Sequence, residues 1–258
     1  EVTFLNPVQF QRTIMLIGPE GYKVLSESRV MVFGLGGVGS YAVEALARAG
    51  LGSLILIDYD RISITNLNRQ LPALYSTVGR LKTEVVKERI LEINPAAKVK
   101  IFSEMVTTEN CERFIEEKPD YIVDAIDSIQ AKVRLLYLAK KNNIPVISSM
   151  GAGNKLDPTK FKIEDISKTH TCPVAKIVRK ELRALGITEG IKTVYSSEKP
   201  LTPYSVEKLG LDFEQDGEKD YQGKRKVPAS ISFVPAVAGL LLASVVVNDL
   251  LKSNGVDL

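Results

Sequence analysis

The stretch VFGLGGVGSYAVEALARAG, residues 32–50, leaves this chain few folds to choose from. An apolar run enters a glycine-rich turn and leaves it as an amphipathic helix, with Gly34, Gly36 and Gly39 in the G-x-G-x-x-G spacing and Gly37 beside them. A strand, tight turn and helix of this kind set a pyrophosphate against a helix N-terminus, so a nucleotide is expected here. Four more apolar runs follow in GSLILIDYD (52–60), KVKIFSEMV (98–106), DYIVDAIDS (120–128) and IPVISSMGAG (144–153). Helical patterns over 38–50, 81–93, 108–118 and 129–142 separate them, the second closed by Asn94 and Pro95. Alternation at this spacing predicts an α/β fold with a doubly wound, mostly parallel sheet.

From about Gly151 the pattern loosens. GAGNKLDPTKFKIEDISKTH (151–170) reads as a turn-rich passage into a strand, and CPVAKIVRKELRALG (172–186) as a helix with a basic outer face. Residues 196–228 are polar and aperiodic and are expected to form a long mobile connection, either a lid crossing a site or a plain surface loop. The apolar tract 230–251 approaches a membrane span in length, but Ser230, Ser232, Pro235, Gly239, Ser244 and Asn248 interrupt it. A buried C-terminal helix is expected instead, without membrane contact. Residues 1–258 are read as a single domain, with a nucleotide-binding part over 1–150 and a substrate-side part over 151–258.

Composition narrows the chemistry. A net charge of +3 gives no global field committing the chain to nucleic acid or membrane, so any basic surface must be local. Two distant cysteines, Cys111 and Cys172, and one histidine, His170, are too few soft ligands for a Cys/His zinc site. The opening residues do not read as a secretory leader, and the reducing cytoplasm is the expected compartment.

The glycine turn alone does not say which nucleotide. Asp58 ends the second strand about 20 residues beyond the last glycine, where a carboxylate accepts bonds from ribose hydroxyls. NAD, FAD and a mononucleotide all fit that pattern. The next stretch, IDYDRISITNLNRQ, adds Asp60, Asn66, Arg69 and Gln70, and VGRLKTEVVKERI adds Lys82 near a helix start. Cations aimed into such a crevice suit a triphosphate, whose charge must be offset before a nucleophile approaches phosphorus. On spacing alone, Arg69 and Lys82 can equally be solvated surface charges.

GLGGVGS, DYDRISITNLNRQ, VGRLK, INP and DAIDS, in that order and spacing, resemble the successive motifs of the ubiquitin-activating-enzyme-like adenylating superfamily. That resemblance implies a Rossmann-like ATP-binding part over 1–150 and attack of a carboxylate on the α-phosphate to give an acyl-adenylate. Carried over by position, it implies that Gly34, Gly36, Gly37, Gly39, Asp60, Asn66, Gln70 and Ser128 line the ATP site. It further implies that Asp58 holds the ribose, that Arg69 and Lys82 contact the polyphosphate, and that Asp127 sits at magnesium and the reacting phosphate. Arg12 falls where the superfamily has an arginine reaching into a neighbouring subunit, which implies a homodimer; without the resemblance it is a surface residue of an amphipathic helix.

Members of the superfamily that act on sulfur-carrier proteins usually carry two C-x-x-C pairs, absent here. SSMGAGNKLDPTKFKIEDISKT, YSSEKP and GKRKVPASISFVPAVAGLLLASVV instead resemble the bacterial tRNA threonylcarbamoyladenosine dehydratases. That family implies ATP-dependent dehydration and cyclisation of threonylcarbamoyladenosine in tRNA, and a sulfur-transfer protein as a further partner to consider. The alternative is an adenylating enzyme for the C-terminal Gly-Gly of a ubiquitin-like sulfur carrier. RNA contact is expected from GKRK (223–226) or from Lys176, Arg179, Lys180 and Arg183 along one helix. Cys172, two residues from His170, reads as a plain thiol beside a helix start rather than a nucleophile, since ring closure needs only groups of the substrate.

Overall fold

A computed structural model describes residues 7–205, 209 and 228–256. Most of the expected connection over 196–228, including the GKRK run, lies outside these residues.

The chain opens with α1 (Gln11–Glu27), bent where Gly18 takes φ 73° ahead of Pro19. Then come β1 (Arg29–Phe33), α2 (Gly39–Ala49), β2 (Ser53–Ile57), α3 (Lys82–Ile93), β3 (Lys98–Phe102), α4 (Cys111–Ile115), β4 (Tyr121–Asp124), α5 (Ile129–Lys141) and β5 (Val146–Ser149). The second half adds β6 (Phe161–Asp165), α6 (Pro173–Ala184), β7 (Lys192–Ser196) and α7 (Phe233–Ser253). The seven strands form one sheet in the order β3-β2-β1-β4-β5-β7-β6, all parallel except β6 against β7. The doubly wound reading therefore holds.

Two details depart from the sequence reading. The helix expected over 108–118 shrinks to α4, because Asn110 accepts the Thr107 N–H and donates to the Met105 carbonyl, and Lys118 turns left-handed at φ 50°. β7, the run KTVYS, was not expected at all, yet it enters the sheet between β5 and β6 with four of its five residues buried. β6 is the strand expected after the turn-rich passage; it reaches the sheet edge through turns and a single 3-10 turn instead of a long crossover, and so pairs antiparallel.

Each sheet face carries its own core. Val30, Val32, Leu54 and Leu56 face Ala42, Leu46, Leu242 and Val246 of α2 and α7. Met31, Phe33, Ile55 and Ile122 face Phe114, Leu135, Val178 and Leu182 of α4, α5 and α6. α7 is long and apolar enough to cross a membrane by composition, but 61% of its most apolar window is buried against the sheet and α2. At Gly239 a Cβ would fall 2.2 Å from the Val38 carbonyl oxygen, so the two helices meet backbone to backbone. This contact fixes the glycine turn from behind.

Candidate active site

The carboxyl ends of β1, β2 and β4 bring three loops together, at the place where order along the sheet reverses from β1 to β4. Gly34 leaves β1 at φ 85°, and a Cβ there would lie 2.6 Å from the Ala125 oxygen, so only glycine lets the loops after β1 and β4 touch. Gly39 opens α2, where a Cβ would fall 1.8 Å from the Gly34 oxygen. Gly36 differs. A Cβ there would meet only Gln70 Nε2, at 3.8 Å, so packing does not demand glycine and the bare backbone leaves open space over the turn. At Gly37 a Cβ would come within 3.2 Å of Pro235 and 3.4 Å of Arg69 Cγ, which lays the arginine against the turn.

Asp58 ties the second loop to the first. Its Oδ2 accepts the Leu35 N–H at 2.6 Å and its Oδ1 the Asp60 N–H at 2.8 Å. Burial pushes its carboxyl above the usual range against the pull of Lys82. Each oxygen keeps a lone pair free for a ribose hydroxyl. Lys82, the first residue of α3 and nearly buried, donates from Nζ to Asp60 Oδ2 at 2.5 Å, while Asp60 stays 41% exposed. Burial, followed by the charges of Asp60, Asp127 and Asp58, pushes the Tyr59 phenol up to about 12. Asp127 is exposed in the loop after β4, two residues beyond the Ala125 carbonyl that abuts Gly34. Ser128 caps α5 through its backbone, with no side-chain bond to the helix.

Asn66 is spent on the fold, its Oδ1 accepting the Ser63 N–H and its carbonyl accepting the Arg69 and Gln70 N–H groups. Arg69 donates from Nη1 to the Thr65 carbonyl and Asn68 Oδ1, leaving other donors of its fork available. Gln70 Oε1 is the one buried side-chain polar atom without a partner among the described residues. Leaving such an atom unpaired costs about 1–3 kcal/mol, and a donor brought in beneath the glycine turn would relieve it. The space over Gly36 and the Arg69 and Lys82 cations beside it fit a nucleotide polyphosphate, whose oxygens only accept hydrogen bonds and so leave Gln70 Oε1 to a donor elsewhere on the nucleotide. Among the described residues no cluster of three or more His, Cys, Asp or Glu could hold a metal ion.

Sequence reasoning weighed only the second aspartate of DAIDS. The first, Asp124, is fully buried with Lys132, whose Nζ donates to Asp124 Oδ2 at 2.6 Å and to the Ser149 carbonyl at 3.0 Å. Ser148 Oγ donates to the same Oδ2 at 2.5 Å, and Asp124 Oδ1 accepts the Ile126 N–H at 3.1 Å. This cluster fixes the turn that carries Asp127. Its only trace in the sequence is a strand ending in Asp and a lysine one turn into the following helix.

Other expected residues lie elsewhere. Arg12 is exposed on α1. Cys111 is buried in α4, and burial pushes its thiol up to about 11. Cys172 is buried at the start of α6, and His170 Nδ1 bonds Thr171 Oγ1 rather than the thiol. Arg179 is only partly exposed, and part of its fork is spent on the fold: its Nη1 donates to the Thr169 carbonyl at 2.8 Å and to Thr169 Oγ1.

Fold and crevice together are those of an adenylate-forming α/β protein, and the chain belongs to the ThiF family, whose model matches residues 10–257. It is 48% identical over 247 residues to the tRNA threonylcarbamoyladenosine dehydratase of Bacillus subtilis, covering 95% of each chain. The crystal structure of the Escherichia coli tRNA N6-threonylcarbamoyladenosine dehydratase TcdA in complex with ATP superposes with a TM-score of 0.83 at 32% identity, covering 95% of each chain. The molybdopterin-synthase adenylyltransferase of E. coli is more distant, at 29% over 174 residues, covering 67% of this chain and 70% of that protein.

Proposed function

We propose that this protein is an ATP-dependent tRNA threonylcarbamoyladenosine dehydratase, which activates the threonyl carboxylate as a carboxyl-adenylate and closes the ring. The supporting observation is the convergence of the glycine turn, Asp58, Arg69, Lys82 and Asp127 on one crevice, in a chain similar to dehydratases along 95% of its length. ATP supplies a phosphorus that the carboxylate oxygen can attack. The glycine turn and the N-terminus of α2 hold its phosphates, and Asp58 orients the ribose. Lys82 is already aligned by Asp60, and with Arg69 it offsets the charge that grows as pyrophosphate leaves. Asp127 would hold magnesium beside the reacting phosphate.

The carbamoyl group of the same side chain then attacks the activated carbonyl, and AMP departs with the former carboxylate oxygen. Both reacting groups belong to one substrate, so positioning replaces a protein nucleophile. Cys172 takes no part. Incubation with ATP and tRNA bearing threonylcarbamoyladenosine should give a nucleoside lighter by one water, with AMP in equal amount. Recovery of only the unchanged nucleoside would refute the assignment. Acting on tRNA, the enzyme belongs in the cytoplasm.

The working form is a homodimer in which Arg12 reaches the neighbour's ATP site. Val8, Met15 and Leu16 stand 76%, 85% and 80% exposed at helical spacings from Arg12, an apolar face that one copy leaves uncovered. Arg12→Ala and Lys82→Ala should each be inactive, and mixing them should restore up to about a quarter of wild-type activity, because half the dimers then carry one intact composite site. No recovery after subunit exchange would place Arg12 in its own subunit's chemistry or outside it.

A further inference from the structure

Several cations on this surface are paired. Arg48 and Arg89 share Glu44, Arg80 holds Glu88, Lys100 holds Glu117, and Lys192 holds Asp249. On the outer face of α6, cations without a close carboxylate partner gather in one row. Lys176 and Arg183 are exposed and have no carboxylate partner among the described residues, and Lys180, its side chain 84% exposed, has only Glu181 at 4.0 Å. Spacings of four and three residues put the three on one face. They form a stripe about 10 Å long at 1.5 Å per residue. Lys168, exposed in the turn before α6, and Lys162 on β6 extend it. Lys162 lies on the α6 side of the sheet, since alternation places it with Glu164, which bonds Tyr195 of the same core.

The carboxylates that would neutralise this face are turned inward. Asp165 accepts the Ser167, Gly190 and Ile191 N–H groups, Glu164 takes the Tyr195 hydroxyl, and Glu198 takes the Leu156 and Asp157 N–H groups. Only Glu181 and the exposed Glu189 remain as acidic groups on the outside of this helix and the loop after it. The stripe also starts at the reaction end of the sheet. A Cβ on Gly151, two residues past β5, would lie 2.9 Å from Val174 Cγ2 in the first turn of α6. From there α6 runs beside α5 towards the opposite end, where Gly190 meets Lys140.

We infer that the Lys176–Lys180–Arg183 face of α6, flanked by Lys168 and Lys162, is a docking track for the phosphodiester backbone of the substrate RNA, leading its modified base to the crevice. The inference rests on the tRNA reading above. Arg179, which sequence spacing grouped with these residues, is excluded because it braces the turn before the helix. A mobile polyanion bound along such a stripe releases counterions, and affinity then falls steeply with salt.

The test uses the full chain carrying Lys176→Ala, Lys180→Ala and Arg183→Ala together, with threonylcarbamoyl-modified tRNA in filter binding across a potassium chloride series. Each lost contact should remove roughly 0.7–0.9 from the log–log salt slope, so the slope should fall by about 2–3 and the affinity by roughly tenfold or more near physiological salt. ATP affinity and turnover at saturating tRNA should be unchanged. A control with Lys23→Ala, Lys98→Ala and Lys252→Ala removes the same charge elsewhere and should keep the wild-type slope. An unchanged slope in the α6 variant, or an equal loss in the control, would overturn the docking track while leaving the enzyme assignment standing. A wild-type protein that turns over no tRNA would instead sink the assignment, and the track with it.

Discussion

Two lysine–aspartate pairs flank the nucleotide crevice, and they do opposite jobs. Lys82 and Asp60 meet at 2.5 Å at its mouth, with the aspartate 41% exposed. Lys132 and Asp124 meet at 2.6 Å beneath its floor, with both side chains essentially removed from water. The exposed pair can be rearranged when a polyphosphate arrives, because water already solvates one partner. The buried pair cannot, since each charge would be left without an equivalent partner. On the proposed function one pair serves chemistry, and the other holds the turn on which that chemistry depends.

Breaking the buried pair should give the largest effect. Lys132→Met leaves the Asp124 charge uncompensated and should cost about 3–5 kcal/mol, read as a lower denaturation midpoint. Adding Asp124→Leu removes that charge and should recover a good part of the loss, although the Ile126 N–H then lacks its acceptor. A single variant as stable as wild type would mean that the cluster is not what holds the turn.

Breaking the exposed pair should leave stability nearly untouched. Lys82→Ala, which breaks that pair, and Asp127→Ala, outside both pairs in the crevice loop after β4, should each lower kcat roughly a hundredfold, about 2.7 kcal/mol of transition-state stabilisation, with little change in Tm. Unaltered turnover in either variant would remove that residue from the mechanism. The smallest effect is expected at Cys172, which lies in neither pair. Cys172→Ala should keep activity within a few-fold of wild type, and loss of turnover in a folded variant would make the thiol a participant.

The contrast also explains what could be read in the sequence. Strand and helix order through β5 was legible because each buried strand is a short apolar run bounded by polar turns, and the glycine turn marks where the first one ends. Asp58 was legible from its place about 20 residues beyond that turn, whereas spacing alone left Arg69 and Lys82 as surface charges and only the family resemblance singled them out. Asp124 and Lys132 were not, because a buried ion pair is made by tertiary approach and leaves no spacing of its own. β7 escaped for a related reason: KTVYS is short, carries three polar residues and becomes a strand only because β5 and β6 flank it. Arg179 was misread because helical spacing shows which face a residue shares, but not the Thr169 acceptors in the turn that draws it in.

The most direct test of the central claim is AMP release from the wild-type protein with ATP and one of two acceptors. These are tRNA bearing threonylcarbamoyladenosine and a sulfur-carrier protein ending in Gly-Gly. The account predicts AMP with the modified tRNA, in step with cyclised nucleoside, and none above background with the carrier. AMP released only with the carrier protein would contradict it.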